Sequence, residues 1–259
     1  MVWAELIREA STYIFMVHAT QGQTQLQPLK AIQAISRLVK NPTHTHEVFV
    51  IIRALSGNDL QKGLVRFRKT EVGQSILKNR TQLMHALCNQ TKLAELPPES
   101  LGQRYLDFIK AEGLSADGLV EASEEQADAL DADSDLALFA TRQRDMHDLW
   151  HVLTEYGRDE LGEACLLGFT YAQNKNRGVG FIALVGCFKL YSRHGFSAAR
   201  SIFRAYLDGR HAVWLPQQDW EALLHDPITS VREKLNINSP TLYHSCLDSY
   251  LHASEVKGV

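Results

Sequence analysis

The sequence lacks the features that mark several large classes of protein. Its 259 residues include four cysteines with no CxxC pair and no dense spacing, so reduced thiols are expected rather than a disulfide framework. There are 27 basic and 30 acidic residues, and the resulting net charge of −3 argues against a general nucleic-acid-binding protein. There is also no P-loop and no GxGxxG sequence that would hold a nucleotide phosphate.

Segments that would span or cross a membrane are also missing. The longest strongly apolar run, residues 181–188, ends at Lys189 and is far shorter than the roughly 20 residues that a membrane-spanning helix needs. The first ten residues include acids and have no basic segment ahead of an apolar core, so neither a secretion signal nor a transit peptide is expected. We therefore expect a cytoplasmic protein, which can still contact a membrane from outside.

Apolar residues recur three or four positions apart along most of the chain, which is the spacing of amphipathic helices. This spacing predicts helices over 3–17, 28–39, 140–156, 160–173, 178–192 and 196–208. Residues 48–52 are β-branched enough for a strand, but no similar run lies nearby to pair with them, so a buried helix is predicted. The prolines in Leu96–Ser100 end one helix and open the next, and Pro227 starts another. We expect an all-α fold, with residues 1–259 in a single compact multi-helix domain.

Charge is distributed unevenly along the chain. Residues 111–141 contain nine acidic residues and no basic one, whereas residues 174–212 contain seven basic residues, Arg177 among them, and one acid. Two solvated helix faces of opposite sign would explain this pattern. Alternatively, the basic region contacts an anionic lipid surface or a phosphate, and the acidic region lies away from it.

Four residues with metal-binding side chains form the most informative pattern. His147 and His151 lie one helical turn apart on the same face, and Asp148 lies within the same quadrant. A break at Tyr156-Gly157, followed by an N-cap at Asp159, begins a second helix that carries Glu163 in its first turns. If the two consecutive helices are antiparallel, both imidazoles and both carboxylates can hold one divalent metal. The alternative is a His/Asp network that caps and links two helices.

Two charged residues flank this pattern on the same predicted helix face. Arg144 lies one turn before His147 and could bind a substrate carboxylate or phosphate through two hydrogen bonds. Glu155 lies one turn after His151 and could act as a further oxygen ligand or as a base. Each could instead orient a histidine or an aspartate without contacting substrate.

The sequence resembles the coenzyme Q biosynthesis protein 4 family, whose motif is HDxxH followed by eleven residues and Glu. His147, Asp148, His151 and Glu163 match this motif completely, and Ser100–Tyr105 resembles another recurring family stretch. The resemblance covers about residues 25–240. It implies an all-helical protein at the inner face of a membrane that acts on or presents polyprenylated aromatic intermediates of quinone biosynthesis.

The resemblance also implies roles for individual residues. His147, Asp148, His151 and Glu163 would be metal ligands, with His147 and Asp148 at the catalytic centre. Zinc is the first expectation for the metal, with Fe(II), Mn or Mg as alternatives. The implied partners are a prenylated lipid or quinone intermediate, the membrane surface, other quinone-biosynthesis proteins and a second copy in a homodimer, without nucleic acid.

A long prenyl tail would need an apolar environment. Candidates are the helix after Glu163, which includes Tyr171, and the run over residues 179–188, which ends near Lys189 and Arg193 as an interfacial helix would. These residues could equally be core faces of packed helices.

Three functions remain open from the sequence. The first is a metal-dependent protein that carries out oxidative decarboxylation, with hydroxylation at ring carbon C1. The second is a non-catalytic lipid-binding scaffold for a quinone-biosynthesis complex. The third is a soluble metal-dependent hydrolase, for which no phosphate-site motif gives support.

Overall fold

Helices make up the regular structure of the protein. The computed structural model describes residues 25–40, 46–113 and 134–257, and no β-strand occurs in these ranges. The first seven helices are α1 (Pro28–Lys40), α2 (His46–Ser56), α3 (Asp59–Phe67), α4 (Glu71–Asn79), α5 (Leu83–Leu87), α6 (Gln90–Ala94) and α7 (Leu101–Ala111). The remaining helices are α8 (Asp135–Asp145), α9 (His147–Thr154), α10 (Glu160–Asn174), α11 (Arg177–His194), α12 (Phe196–His211), α13 (Trp220–Leu223), α14 (Ile228–Leu235) and α15 (Thr241–Lys257).

Most of the predicted helices are confirmed. Helices predicted over 28–39, 160–173, 178–192 and 196–208 correspond to α1, α10, α11 and α12, and residues 48–52 lie in α2. Ser100 caps α7 after the two prolines, and Pro227 precedes α14. The helix predicted over 3–17 and most of the acidic run over 111–141 lie outside the described residues.

The single helix predicted over 140–156 is wrong, because two helices occupy this segment. Met146, with φ −80° and ψ −4°, lies between the end of α8 and the start of α9. The second helix ends at Thr154, and Glu155 adopts a left-handed conformation with φ 59°. No proline or glycine marks the break at Met146, so apolar spacing alone could not indicate it.

Helix α10 lies at the centre of the domain. Twelve of its 15 residues are buried, as expected for a helix with neighbours on all sides. Leu167 packs in a cluster with α1, α2 and α11, whereas Phe169 belongs to the largest core cluster, which includes α7, α9, α12 and α14. The buried side chains on the first turns of α10 are therefore held in place by the packed core around them. Glu163 lies there.

No helix in the described part of the chain is long and apolar enough to cross a bilayer.

Candidate metal centre

A short turn over residues 155–159 joins the two helices that carry the predicted ligands. Asp159 caps α10, as predicted, because its Oδ1 accepts hydrogen bonds from the backbone N–H groups of Leu161 and Gly162, each at 3.0 Å. The hydroxyl of Tyr243 on α15 donates to Asp159 Oδ2 and accepts from the Gly157 N–H at 2.9 Å. These contacts fix both the start of α10 and the direction of the turn.

Two glycines allow the turn to pack tightly against α10. A Cβ atom on Gly162 would lie only 2.1 Å from the Gly157 carbonyl oxygen, closer than any real contact. The carboxylate of Glu163, the next residue, is thereby brought towards α9.

Three of the four predicted ligands come together in the structure. One ligand atom from each of His147, His151 and Glu163 lies within 4.8 Å of the other two, and all three residues are buried. His151 Nε2 lies 3.5 Å from Glu163 Oε1, and the two side chains are 0% and 1% exposed. The two imidazole rings are nearly perpendicular, with centroids 4.8 Å apart.

The protonation state of His151 follows from its contacts. Its Nδ1 lies 2.8 Å from the carbonyl oxygen of Tyr156, which can only accept, so Nδ1 carries the proton. Burial, together with the neighbouring His147, lowers the pKa of His151 to about 3, so the ring is neutral. Its Nε2 lone pair is buried and has no hydrogen-bond partner among the described residues. A lone pair directed at a carboxylate oxygen is the arrangement that a cation between them would stabilise.

The distance between His151 and Glu163 fits a transition-metal ion. Ligand bonds to zinc measure about 2.0–2.2 Å, so two ligands of a tetrahedral ion lie about 3.4 Å apart. The 3.5 Å between His151 Nε2 and Glu163 Oε1 matches this separation. Two histidines and one glutamate would leave at least one coordination position for a substrate or water, as catalytic zinc sites do.

Asp148, the fourth predicted ligand, is not part of this group. Its Oδ1 lies 3.5 Å from His147 Nδ1, and its side chain is 25% exposed. Burial tends to raise the pKa of Asp148, but the interaction with His147 outweighs this and leaves the pKa below its usual value. A charged carboxylate therefore lies beside His147 Nδ1.

Arg144 and Glu155 form ion pairs outside the group, and substrate contact by either residue stays a prediction. The Arg144 guanidinium donates to Asp145 Oδ1 through Nε at 3.0 Å and Nη2 at 2.6 Å. Glu155 contacts Arg232 Nη1 at 2.6 Å and the Ser239 hydroxyl at 3.0 Å. The prediction for Glu155 assumed that the helix continued past Thr154, and the left-handed backbone at Glu155 turns the side chain elsewhere.

Tyr171 and Arg177 also lie away from the group. Tyr171 is eight residues beyond Glu163, about 12 Å along α10, and its ring stacks on Tyr206 at 5.8 Å. Arg177 is the first residue of α11, where its backbone N–H donates to Asp59 Oδ2 at 3.3 Å. Substrate contact by either residue stays a prediction.

Three residues that support the site were not found by sequence reasoning. The Tyr156 carbonyl fixes the His151 tautomer, the Phe108 ring stacks on His151 at a centroid distance of 5.8 Å, and Tyr243 holds the turn. Phe108 has helical apolar spacing, which cannot show that its ring faces an imidazole. The Tyr156 contact is made by a backbone carbonyl, and the Tyr243 contact joins residues far apart in the chain, so neither leaves a signal in the sequence.

The fold and the site define an all-helical protein with a buried group of two histidines and one glutamate. A family model described as coenzyme Q (ubiquinone) biosynthesis protein Coq4 matches residues 17–241. The chain therefore belongs to this family, as the motif indicated, and membership supports its involvement in ubiquinone biosynthesis.

Individual relatives agree with this assignment. The mitochondrial ubiquinone biosynthesis protein COQ4 homologue of Rattus norvegicus is 28% identical over 214 residues, which cover 82% of this chain and 78% of the relative. The corresponding Mus musculus protein gives the same identity and coverage. A crystal structure of a Nostoc punctiforme protein has a TM-score of 0.61 at 20% identity and covers 83% of this chain and 100% of its own. That structure shows the shared helical fold.

Proposed function

We propose that this protein uses a divalent metal ion, held by His147, His151 and Glu163, to act on polyprenylated aromatic intermediates of ubiquinone or a related prenylquinone. The observation that carries the proposal is the buried Nε2 lone pair of His151, 3.5 Å from Glu163 Oε1. Zinc is the first candidate, and Fe(II), Mn or Mg are the alternatives.

Asp148 has a different role in this proposal from that of a ligand. Because its carboxylate lies beside His147 Nδ1, it holds the proton on that nitrogen and leaves Nε2 for the ion. A carboxylate that orients a metal-binding histidine in this way also makes the histidine more basic. His147 and Asp148 thus act as a pair, which is the catalytic pair predicted from the sequence.

The proposed reaction replaces the ring carboxyl group at C1 by a hydroxyl group. When bound, the ion would hold the substrate carboxylate and stabilise the charge that develops as CO₂ leaves. The electron pair of the broken bond stays on the ring, dioxygen takes up two electrons from the ring and leaves as hydrogen peroxide, and water supplies the hydroxyl oxygen. Phe108 and the buried surroundings of His151 exclude water from one side of the site.

An exposed apolar surface on α11 and α12 suits the prenyl tail. On α11, the exposed residues Leu184, Phe188 and Tyr191 share one helix face, and α12 adds exposed Phe196 and Phe203. We name these five residues the apolar stripe. A Cβ on Gly186, between the first two, would lie 3.6 Å from the Cβ of Ala164, which follows Glu163. The inward face of α11 therefore packs on α10 beside Glu163, and the stripe occupies the outward face of the same helix.

Metal analysis tests the proposed ligands. We expect stoichiometric metal in the purified protein and its loss in His151→Ala and Glu163→Gln, each checked by circular dichroism for retained helicity. Exposed His225 provides the matched control, His225→Ala, which should keep its metal. Full stoichiometry in both site variants would remove these residues from the metal centre.

An activity assay tests the reaction itself. Wild-type protein, loaded with each candidate metal, is incubated with a prenylated 4-hydroxybenzoate-type compound under air, and the C1-hydroxylated product and CO₂ are measured. Both should depend on the metal and on Glu163. Metal binding without turnover under any metal would contradict the catalytic proposal.

A non-catalytic lipid-binding scaffold is the second candidate, and the apolar stripe favours it. Exposed Arg200 adds positive charge near the stripe and has no ion-pair partner within the described residues, a combination suited to an anionic lipid surface. Under this proposal the protein would bind the membrane surface and a prenyl lipid and gather other quinone-biosynthesis proteins. The homodimer, the cytoplasmic location and the inner membrane face stay predictions.

A further inference from the structure

A cleft at the other end of α10 is distinct from the proposed metal centre. It has a volume of about 200 Å³ and is bounded by α3, α8, the end of α10 and the two residues between α10 and α11, with Trp214 from the segment after α12. Its lining residue Gln173 is ten positions beyond Glu163, about 15 Å along the helix axis. None of the predicted ligands lines the cleft.

Positive charge predominates among the lining residues. Lys62, Arg66 and Lys175 are all exposed, and Asp59 is the acid that accompanies them. Asp59 is mostly buried, and its two oxygens contact Lys62 Nζ at 3.4 Å and the Arg177 N–H at 3.3 Å. Arg66 forms no hydrogen bond or ion pair through its side chain with the described residues. An anion at the mouth of the cleft would therefore find an available guanidinium.

The interior of the cleft is aromatic. Phe139 and Trp214 line it, and both are buried side chains with limited freedom to move. The Trp214 indole is fixed by a hydrogen bond from Nε1 to the Gln173 carbonyl at 3.2 Å. The Arg66 guanidinium lies over this indole at 3.9 Å from the ring centroid. The cation and the aromatic surface are thus already assembled side by side.

A buried amide provides a further polar group. Gln143 lines the cleft and is 3% exposed. Its Oε1 accepts a hydrogen bond from Asn174 Nδ2 at 3.3 Å, and its Nε2 donates to no group in the described ranges. This amide N–H group is therefore available to donate a hydrogen bond to an acceptor on a ligand.

We propose that this cleft binds a small aromatic anion, a single ring that carries a carboxylate or phosphate group. The ring packs against Phe139 and Trp214, the acid group pairs with Arg66, and Gln143 Nε2 donates to an oxygen of the ligand. The volume is below the roughly 300 Å³ at which sites for drug-sized molecules begin, which restricts the occupant to about one ring. This inference does not depend on the proposed metal centre.

Calorimetric titration with benzoate and with phenyl phosphate tests the proposal. The protein is first treated with a chelator, so that neither acid can bind a metal at His151 and Glu163. Saturable binding of at least one probe is expected, with a weaker response to cyclohexanecarboxylate and to inorganic phosphate. The indole N–H signal of Trp214, assigned with Trp214→Phe, should shift in NMR spectra on addition of the probe.

Substitutions of lining residues test whether the probe binds in this cleft. Arg66→Gln and Gln143→Leu should each weaken binding, by about tenfold or more for Arg66→Gln because a charged hydrogen bond is lost. Lys69→Gln removes an exposed cation that does not line the cleft and should leave the affinity unchanged. The proposal is overturned if neither aromatic probe binds, if inorganic phosphate binds equally well, or if both cleft variants bind as the wild type does.

Discussion

His151 and Glu163, twelve residues apart in sequence, face each other at 3.5 Å within the core. The Tyr156 carbonyl on one side of the imidazole directs the free lone pair of His151 towards Glu163 on the other. Two electron-rich atoms in this position repel each other in a dry environment, and a shared cation turns that repulsion into attraction. Under the proposed function, a bound metal ion would therefore convert this pair from a destabilising contact into a stabilising one.

Metal addition should consequently stabilise the protein against heat. Binding at one site with free metal at 100 times the dissociation constant stabilises the folded state by about 2.7 kcal/mol. For a chain of this size, this corresponds to a rise in Tm of about 5–10 °C. Differential scanning fluorimetry with and without metal measures it. The rise should be absent in His151→Ala and Glu163→Gln and present in His225→Ala; an equal rise in all four proteins would contradict a site at these residues.

Loss of charge at Asp148 and loss of charge at Glu163 should weaken metal binding to different extents. Asp148→Asn keeps the shape of the side chain and removes the charge beside His147 Nδ1, so metal affinity should fall by about 10–100-fold. Glu163→Gln removes a direct ligand and should abolish binding in the same range of metal concentrations. Competition with a chelating dye gives both affinities. Equal losses in the two variants would indicate that Asp148 is itself a ligand.

Gly162 should be intolerant of any side chain. In Gly162→Ala the new Cβ would lie 2.1 Å from the Gly157 carbonyl oxygen, so the turn between α9 and α10 must move. Overpacking of this kind costs about 1–3 kcal/mol, and the shift also displaces Glu163. Urea unfolding and metal affinity measure the two effects.

Gly186→Ala is the matched control for this variant. Its Cβ would meet the Ala164 Cβ at 3.6 Å, which is an ordinary contact on the same central helix. Stability and metal affinity should stay close to those of the wild type. A Gly162→Ala protein that behaves like Gly186→Ala would show that the close approach in the turn is not required.

The helical fold and the metal-binding motif could be read from local patterns in the sequence. Apolar spacing indicates α10 because its period is that of a helix, and Asp159 stands where a cap is needed. Spacing places His147 and His151 on one helix face and Glu163 at the start of the next. Each of these inferences depends on residues close together along the chain.

Side-chain direction depends on contacts that local patterns do not contain. The helical spacing predicts Asp148 as a ligand in the same quadrant as the histidines, yet Asp148 contacts His147 Nδ1 and lies outside the group. Glu155 was expected on the same face, but its left-handed backbone and its contact with Arg232 on α14 direct it elsewhere. The cleft beside Trp214 escaped detection because its lining residues come from four separated segments.

The Arg142–Glu221 ion pair should make stability depend on pH. Arg142 is 1% exposed and binds both Glu221 oxygens at 2.7 Å. Burial tends to raise the pKa of Glu221, but the hydrogen bonds from Arg142 outweigh it and lower the pKa below the ordinary value of 4.5. A lowered folded-state pKa means that the stabilisation is complete above the unfolded-state pKa and is lost as the pH falls through the folded-state value.

Glu221→Gln should therefore destabilise the protein by about 2–3 kcal/mol at pH 7, because it leaves Arg142 buried without its counter-charge. The difference from the wild type should shrink as the pH falls below about 4. Urea unfolding at pH 7, 5 and 3.5 measures it. Glu99→Gln, which disrupts a solvent-exposed pair with Arg104, should leave stability nearly unchanged. A difference between Glu221→Gln and the wild type that does not vary with pH would contradict the assigned ion pair.

The apolar stripe should mediate binding to membranes. Phe188 is 70% exposed and Phe203 is 62% exposed, so neither contributes much to the core, and each would bury its ring at a lipid surface. Burial of one phenylalanine side chain is worth about 1.5–3 kcal/mol, so Phe188→Ser and Phe203→Ser should each weaken binding by about tenfold or more without a loss of stability. Flotation with vesicles of phosphatidylcholine and phosphatidylglycerol measures the bound fraction, which should fall at high salt if Arg200 contributes.

Val65→Ser, at an exposed apolar residue on α3, is the matched control and should bind as the wild type does. If the wild type does not float, or if all three variants float equally well, the stripe does not bind lipid surfaces.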